Sequence, residues 1–187
     1  MSFIPYKFRS FRGYEFKEGV NTSKSLENTR TMNNKHLAQF NIIKLKDELN
    51  SPMIKEFRDF LAPVNLLAEE SEGFIWRLKD ESGHSATDIE TPYEDKLIFV
   101  NMSVWENFTL LKEYTYKTVH SYFLKSRKKW ADEMDGYKAV MWYIDKGHIP
   151  TIEEAKTKLD VLNQKGSTPE AFSMTEVYDA FGEKYAK

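Results

Sequence analysis

The sequence predicts an α+β domain whose elements follow the order β-α-β-β-α-β, with one further helix after them. Two observations predict this class. Short apolar segments rich in β-branched and aromatic residues alternate with segments whose apolar residues recur every three or four positions. Between residues 97 and 120, a buried strand passes directly into an amphipathic helix, which makes this stretch the centre of the predicted domain.

The first half of the domain is predicted to contain a strand, an interrupted helix and a second strand. Residues 37–45 alternate as a strand, and Ser51 is placed as a helix cap before a proline at the first helical position. Because Pro63 lacks an N–H, we expect the helix to break there and a second short helix to follow. Residues 74–78 form the second strand, and residues 80–94 form a loop.

The second half repeats the pattern with clearer helix signals. Residues 97–104 form the third strand, and Asn107 is the expected N-cap of a helix that continues towards Trp130. The fourth strand falls at residues 137–144. After it, Thr151 opens a capping box, and a glycine at position 166 ends the last helix.

This order is that of the ferredoxin-like split unit, which predicts a four-stranded antiparallel sheet with helices on one face. The other face needs a cover, because the strands carry four large apolar side chains that water would solvate poorly. The simplest cover is the same face of a second subunit, so the sequence predicts a homodimer. The four side chains are Phe40, Trp76, Trp105 and Trp142.

Composition divides the chain and excludes several functions. Residues 1–35 are basic and aromatic and are predicted as an N-terminal arm, residues 36–173 as the domain with its C-terminal helix, and residues 174–187 as a tail. The net charge of -2 gives no basic field for nucleic acid. No apolar run reaches the roughly 20 residues that span a membrane. With no signal peptide and no cysteine, a cytoplasmic protein without a disulfide or cysteine-based zinc site is expected.

Several motifs resemble an uncharacterised bacterial and fungal family of the dimeric α+β barrel superfamily, which is related to the antibiotic-biosynthesis monooxygenases. The resemblance covers residues 37–173 and implies a dimeric α+β barrel. Its motifs are residues 38–41, 63–69, 73–78 and 101–106, Tyr116 with His120, residues 142–151 and residues 168–172.

The same resemblance suggests site residues. Haem-degrading monooxygenases of the superfamily use an Asn on the first strand, a Trp in the second helix and a His further along that helix. Asn41 matches the first and His120 matches the third, whereas the Trp position falls near Leu110 or Leu111. One of the three residues is therefore absent from this chain.

His120 is the best candidate for chemistry. It shares a helix face with Tyr116 and Phe123. A neutral imidazole there is able to act as a base or to ligate haem iron; the alternative is a buried His bonded to a backbone carbonyl. Asn41 either orients a carbonyl or dioxygen in a pocket or makes a hydrogen bond at the strand edge.

The remaining candidates are predicted substrate-binding residues. Each also has a purely structural interpretation, namely core packing or an ion pair. Trp76, Trp105 and Trp142 lie on three different strands and either pack in the core or form aromatic walls, with Tyr116, of a pocket between sheet and helices. Arg77 either binds a ligand carboxylate or makes an ion pair. No pair of histidines has metal-ligand spacing, and no phosphate loop or dinucleotide glycine pattern is present.

Three hypotheses follow, and whether the protein is an enzyme stays open among them. The first is a small-molecule-binding, monooxygenase-like protein of unknown substrate, which oxidises an aromatic compound without a cofactor through His120 and Asn41. The second is haem binding or haem degradation with His120 as the axial ligand. The third is a non-catalytic ligand-binding or scaffold dimer.

Overall fold

The computed structural model describes residues 34–81, 83, 86–87, 89–117, 122 and 125–185. The fold is a mixed α+β arrangement built on one four-stranded antiparallel sheet. Its strands lie side by side in the order β2-β3-β1-β4. They are β1 (Lys35–Lys44), β2 (Phe74–Arg77), β3 (Ile98–Trp105) and β4 (Ala139–Asp145).

Among the described residues, three α-helices with defined bounds accompany the sheet: α1 (Lys55–Glu69), α2 (Phe108–Lys117) and α3 (Ile152–Lys165). Short 3-10 turns cover Pro52–Ile54 and Arg127–Lys129. No helix in the described part of the chain combines the length and apolarity needed to cross a bilayer. The predicted element order is therefore confirmed, with strand ends within two residues of the predicted ones.

The three predicted caps are confirmed by hydrogen bonds. The Ser51 hydroxyl accepts from the backbone N–H of Met53 at 3.3 Å, at the start of the 3-10 turn. Asn107 Oδ1 accepts from the backbone N–H of residue 110 at 3.1 Å. Thr151 Oγ1 accepts from the N–H of Glu154 at 3.1 Å. Each cap satisfies a donor in a first helical turn that has no partner within the helix.

The predicted break at Pro63 is wrong, because α1 runs through it without interruption. Proline removes the N–H that would bond the carbonyl of Asp59, four residues earlier. Both Pro63 and Asp59 are exposed. Water is able to hydrate that carbonyl there, so the loss of one helical bond does not end the helix.

The two faces of the sheet have different partners. Side chains along each strand alternate between the two faces of the sheet. Two residues that face each other across β1 and β3 lie on the same face. One face, here called the cavity face, packs on α1 and α2 and carries Leu37, Gln39, Asn41, Ser103, Trp105 and Met141. The other, here called the α3 face, packs on α3 and carries Phe40, Ile42, Met102, Val104, Val140 and Trp142.

The chain covers its α3 face by itself, which corrects the sequence-based reason for a second subunit. Phe40 is 0% exposed and Trp142 is 2% exposed, within a cluster that includes Leu159 of α3. Trp76 is half-buried against the same cluster. Trp105 lies on the cavity face and is also fully buried. The homodimer stays a prediction, and the face that was expected to form it is covered by α3.

The packing of α3 is tested by Leu162→Ala. Leu162 is 0% exposed within the cluster on the α3 face, so its truncation leaves a cavity. We expect the free energy of unfolding in urea to fall by about 2–5 kcal/mol. The matched control is Gln164→Ala, an exposed position of the same helix, where we expect a change within about 0.5 kcal/mol. Equal effects of the two substitutions would show that α3 does not cover the sheet.

Candidate functional site

A cavity of about 620 Å³ lies between the cavity face and the two helices α1 and α2. Its floor is formed by polar side chains of β1 and β3 and by Arg77 at the end of β2. Its walls are largely apolar and include Phe57, Leu61, Val64, Phe99, Leu111 and Met141. A cavity thus lies where the sequence predicts one, between sheet and helices.

The floor carries a continuous row of hydrogen bonds, here called the polar row. The Trp105 indole N–H donates to Ser103 Oγ at 2.9 Å. The Ser103 hydroxyl in turn donates to Gln39 Oε1 at 3.2 Å. Gln39 Nε2 donates to Asn41 Oδ1 at 2.9 Å, and Asn101 Nδ2 donates to the same oxygen at 3.2 Å. The row therefore joins five side chains from two strands.

Strand register is what assembles the polar row. In the antiparallel pair of β1 and β3, Gln39 faces Ser103 and Asn41 faces Asn101. Directly opposed side chains on one face of such a pair lie close enough to interact. Because polar residues occupy alternate positions of both strands, all four project to the cavity face.

The bonds of the row run in one consistent direction from the indole. An indole N–H is only a donor, so Ser103 Oγ accepts from Trp105. The Ser103 proton goes to Gln39 Oε1, and the Gln39 amino group is turned towards Asn41. Asn41 presents its oxygen to Gln39. Each side chain thus offers the group that its neighbour in the row requires.

With these hydrogen-bond directions, the two asparagines on the cavity floor keep one donor group and one acceptor group that the row does not use. Asn41 Oδ1 accepts two hydrogen bonds, so the amino group of Asn41 is the part that remains available. Asn101 gives its amino group to Asn41 and retains its carbonyl oxygen. Within the described parts of the chain, neither Asn41 Nδ2 nor Asn101 Oδ1 has a hydrogen-bond partner. Both residues are half-buried and line the cavity.

Arg77 lies in the cavity floor, where it is buried and pairs with the half-buried carboxylate of Glu69. It is 6% exposed, and its Nε donates to Glu69 Oε1 at 2.8 Å, while Nη1 donates to the carbonyl of Leu78 at 3.3 Å. Lys79 contacts the same carboxylate oxygen at 2.8 Å. The hydrogen bonds from Lys79 and from Arg77 lower the pKa of the Glu69 carboxyl. Of the two predicted roles for Arg77, the structure shows the ion pair, although it is buried.

Tyr114 of α2 closes one end of the cavity. Its ring stacks on Trp105 with 5.0 Å between ring centroids, and its hydroxyl donates to the carbonyl of Val64 at 3.2 Å. Burial raises the pKa of the Tyr114 phenol, so the hydroxyl stays protonated at neutral pH. This residue therefore supplies a neutral, positioned aromatic ring.

The structure brings some of the predicted site residues together and separates others. Asn41, Arg77 and Tyr116 line the cavity, although Tyr116 is 53% exposed. Trp105 lies on the cavity face but outside the cavity lining, and it is the first donor of the polar row. His120 lies outside the described residues, so its predicted role is not assessed by this structure.

None of the three predicted tryptophans is part of the cavity lining, and two of them lie on the opposite face of the sheet. Trp142 lies on the α3 face, where its indole N–H donates to Glu154 Oε1 at 2.8 Å. Trp76 packs against the same face. The prediction that these rings line a pocket between sheet and helices is corrected by strand alternation, which directs them to the opposite side.

Sequence reasoning missed Gln39, Asn101, Ser103 and Tyr114. A signal for the first three was present, because two polar residues occupy alternate positions in an otherwise apolar stretch of each strand, residues 37–43 and 98–105. Polar residues in buried strands need hydrogen-bond partners, and those partners are most readily found on a neighbouring strand. The register between β1 and β3 decides which of these residues pair.

The described cavity lining contains two carboxylates, Asp132 and Glu133, and no histidine. No group of three or more histidine, cysteine, aspartate or glutamate residues in the described segments is arranged to hold a metal ion. Haem ligation depends on His120 and therefore stays a prediction.

The polar row is tested by Ser103→Ala. This change leaves the buried Trp105 indole without its acceptor and Gln39 Oε1 without its donor. We expect the free energy of unfolding to fall by about 1–3 kcal/mol, measured by urea denaturation. Ser126→Ala is the control, because that serine makes no capping hydrogen bond in its turn. A loss at Ser103 no larger than that at Ser126 would contradict the network.

The Glu69 ion pair is tested by the pH dependence of stability. The pKa of Glu69 is lower in the folded protein than its ordinary value of 4.5, so its carboxylate stabilises the fold fully above that value. This contribution is lost as the pH falls through the folded pKa. We therefore expect the stability difference between wild type and Glu69→Gln to be largest near neutral pH and to shrink in acid.

The control for this experiment is Glu72→Gln, an exposed glutamate without an ion pair among the described residues. Its difference from wild type should stay small across the same pH range. A Glu69→Gln difference that does not depend on pH would refute the role of this ion pair.

Comparison with known proteins gives a family and no activity. No curated protein matches the chain. A crystal structure of a protein of unknown function from Nitrosomonas europaea is similar with a TM-score of 0.40 and 12% sequence identity, covering 64% of this chain and 96% of that one. Residues 36–187 match the family described as "Domain of unknown function (DUF3291)". The chain belongs to the DUF3291 family.

Proposed function

We propose that this protein binds a small, partly aromatic organic molecule in the cavity between its sheet and the helices α1 and α2. The observation that carries the proposal is the cavity itself, with a volume of about 620 Å³. Binding sites for small molecules commonly have volumes of roughly 300 to 1,000 Å³. A cavity of this size is able to enclose a ligand with one or two rings.

The lining supports an organic ligand over an ion. Small-molecule sites combine apolar walls with a few placed polar groups, and this cavity has both. Phe57 and Phe99 pack with 6.5 Å between ring centroids and contribute aromatic surface to the wall. Asn41 and Asn101 contribute the polar groups on the floor. Aromatic walls of this kind favour flat apolar ligands.

Oxidation chemistry is a further part of the proposal that rests on the family resemblance alone. Monooxygenase-like oxidation of an aromatic compound assigns His120 as acid or base, and the haem alternative assigns it as axial ligand. Both depend on a residue outside the described segments, so both stay predictions. The cavity supports the ligand-binding step that either reaction needs.

The ferredoxin-like assignment is supported by the element order and by the strand order β2-β3-β1-β4. A barrel built from two such sheets requires the face opposite α1 and α2. In this chain the side chains of that face pack on α3. We therefore base the proposal on a single chain, and a homodimer would have to form through another surface or displace α3.

Ligand binding is tested by filling the cavity with Ala139→Trp. Ala139 lies opposite Asn41 in the register of β1 and β4 and lines the cavity, so an indole at this position occupies the space of a ligand. Saturation-transfer NMR with benzamide and with toluene should give signals for the wild type. We expect the substitution to abolish them.

The control is Ala62→Trp, which adds the same indole at an exposed position of α1. This variant should retain the signals of both probes. Absence of signals from the wild type, or equal signals from both variants, would contradict the proposed function.

A further inference from the structure

We propose that the cavity selects ligands with a neutral amide edge, in which a carbonyl oxygen lies beside an N–H, because Asn41 Nδ2 and Asn101 Oδ1 present a donor beside an acceptor. Primary amides, lactams and ureides have such an edge. This inference rests on the proposed function and specifies the ligand class of the same cavity.

The first step is the complementarity of the two asparagines. Their side chains face each other across β1 and β3 and share the hydrogen bond of 3.2 Å from Asn101 Nδ2 to Asn41 Oδ1. The remaining amino group of Asn41 and the remaining carbonyl of Asn101 therefore belong to directly opposed side chains of the cavity floor. A ligand that accepts from the first and donates to the second satisfies both groups, and an amide edge provides this pair of bonds.

The second step is that inverting the polar row does not change what the two asparagines offer together. A carboxylate offers two acceptors, so its second oxygen would meet Asn101 Oδ1. Turning the Asn101 amide alone would place its oxygen against Asn41 Oδ1 and break the bond between them. Turning Asn41 and Gln39 as well would bring the Gln39 amino group to the second lone pair of Ser103 Oγ. The reversed row would then leave Asn41 Oδ1 and Asn101 Nδ2, again one acceptor and one donor.

The third step concerns charge. The buried cation in the floor, Arg77, is balanced by Glu69 at 2.8 Å. Charged side chains elsewhere along the cavity have both signs, and four of them are exposed and screened by solvent and salt: Arg127, Lys128, Asp132 and Glu133. Lys44 and Lys138 are half-buried, and Lys44 pairs with Asp95 at 2.7 Å. The polar row itself is neutral. A neutral ligand therefore loses less on leaving water than an ionised one.

The test compares three probes of one shape: benzamide, benzoate and benzamidine. For the wild type we expect benzamide to bind about tenfold or more tightly than the other two, measured by isothermal titration calorimetry. Benzamide offers an acceptor and a donor, benzoate two acceptors and benzamidine two donors. The comparison needs no substitution, so it does not depend on the folding of a variant.

Asn41→Asp tests the donor directly. An aspartate at this position accepts from Gln39 Nε2 and Asn101 Nδ2 as Asn41 Oδ1 does, so the polar row is preserved. The group facing the cavity changes from donor to acceptor. We expect the affinity for benzamide to fall about tenfold and benzamidine to become the probe that binds most tightly. Asn50→Asp makes the same charge change at an exposed position and should leave the order of affinities unchanged.

The outcomes separate this inference from the proposed function. If Ala139→Trp abolishes binding but the wild type binds benzoate as tightly as benzamide, the cavity binds ligands and the amide selectivity is wrong. The same holds if Asn41→Asp leaves the order of affinities unchanged. If no probe binds the wild type, or if Ala139→Trp has no effect, the proposed function itself is wrong.

Discussion

The hydrogen bond from the Trp105 indole to Ser103 is the interaction on which the polar row depends. The indole is fully buried and has one donor, so it needs an acceptor within the fold. Ser103 meets that need and passes the direction of hydrogen bonding to Gln39 and Asn41. The row therefore runs in one consistent direction from the buried indole to the two asparagines on the cavity floor.

The unequal cover of the two sheet faces explains why a cavity forms on one of them. On the α3 face, large apolar side chains such as Phe40 and Trp142 pack against α3 and are buried there. On the cavity face, amide and hydroxyl side chains stand between β1 and β3, and Ala139 contributes little volume. Helices α1 and α2 pack at one end through Trp105 and Leu111, and the space beyond stays open.

Much of this fold can be predicted from the sequence, whereas the site can be predicted only in part: Asn41, Arg77 and Tyr116 line the cavity as expected, and its other polar residues were missed. Strand periodicity and cap residues such as Asn107 and Thr151 act locally, so they predict elements well. The break expected at Pro63 failed because its exposure allows the freed carbonyl to be hydrated. The cover by α3 and the pairing of Asn41 with Asn101 depend on tertiary contacts and register, which no single segment encodes.

The most direct measurement of the central claim is an NMR titration of isotope-labelled protein with benzamide, followed at the side-chain amide groups. The account predicts that the Asn41 Nδ2 signals shift as a cavity-facing N–H gains an acceptor, while the Trp105 indole keeps its bond to Ser103. A saturating titration that leaves the Asn41 side-chain signals in place, with shifts confined to residues away from the cavity, would contradict it.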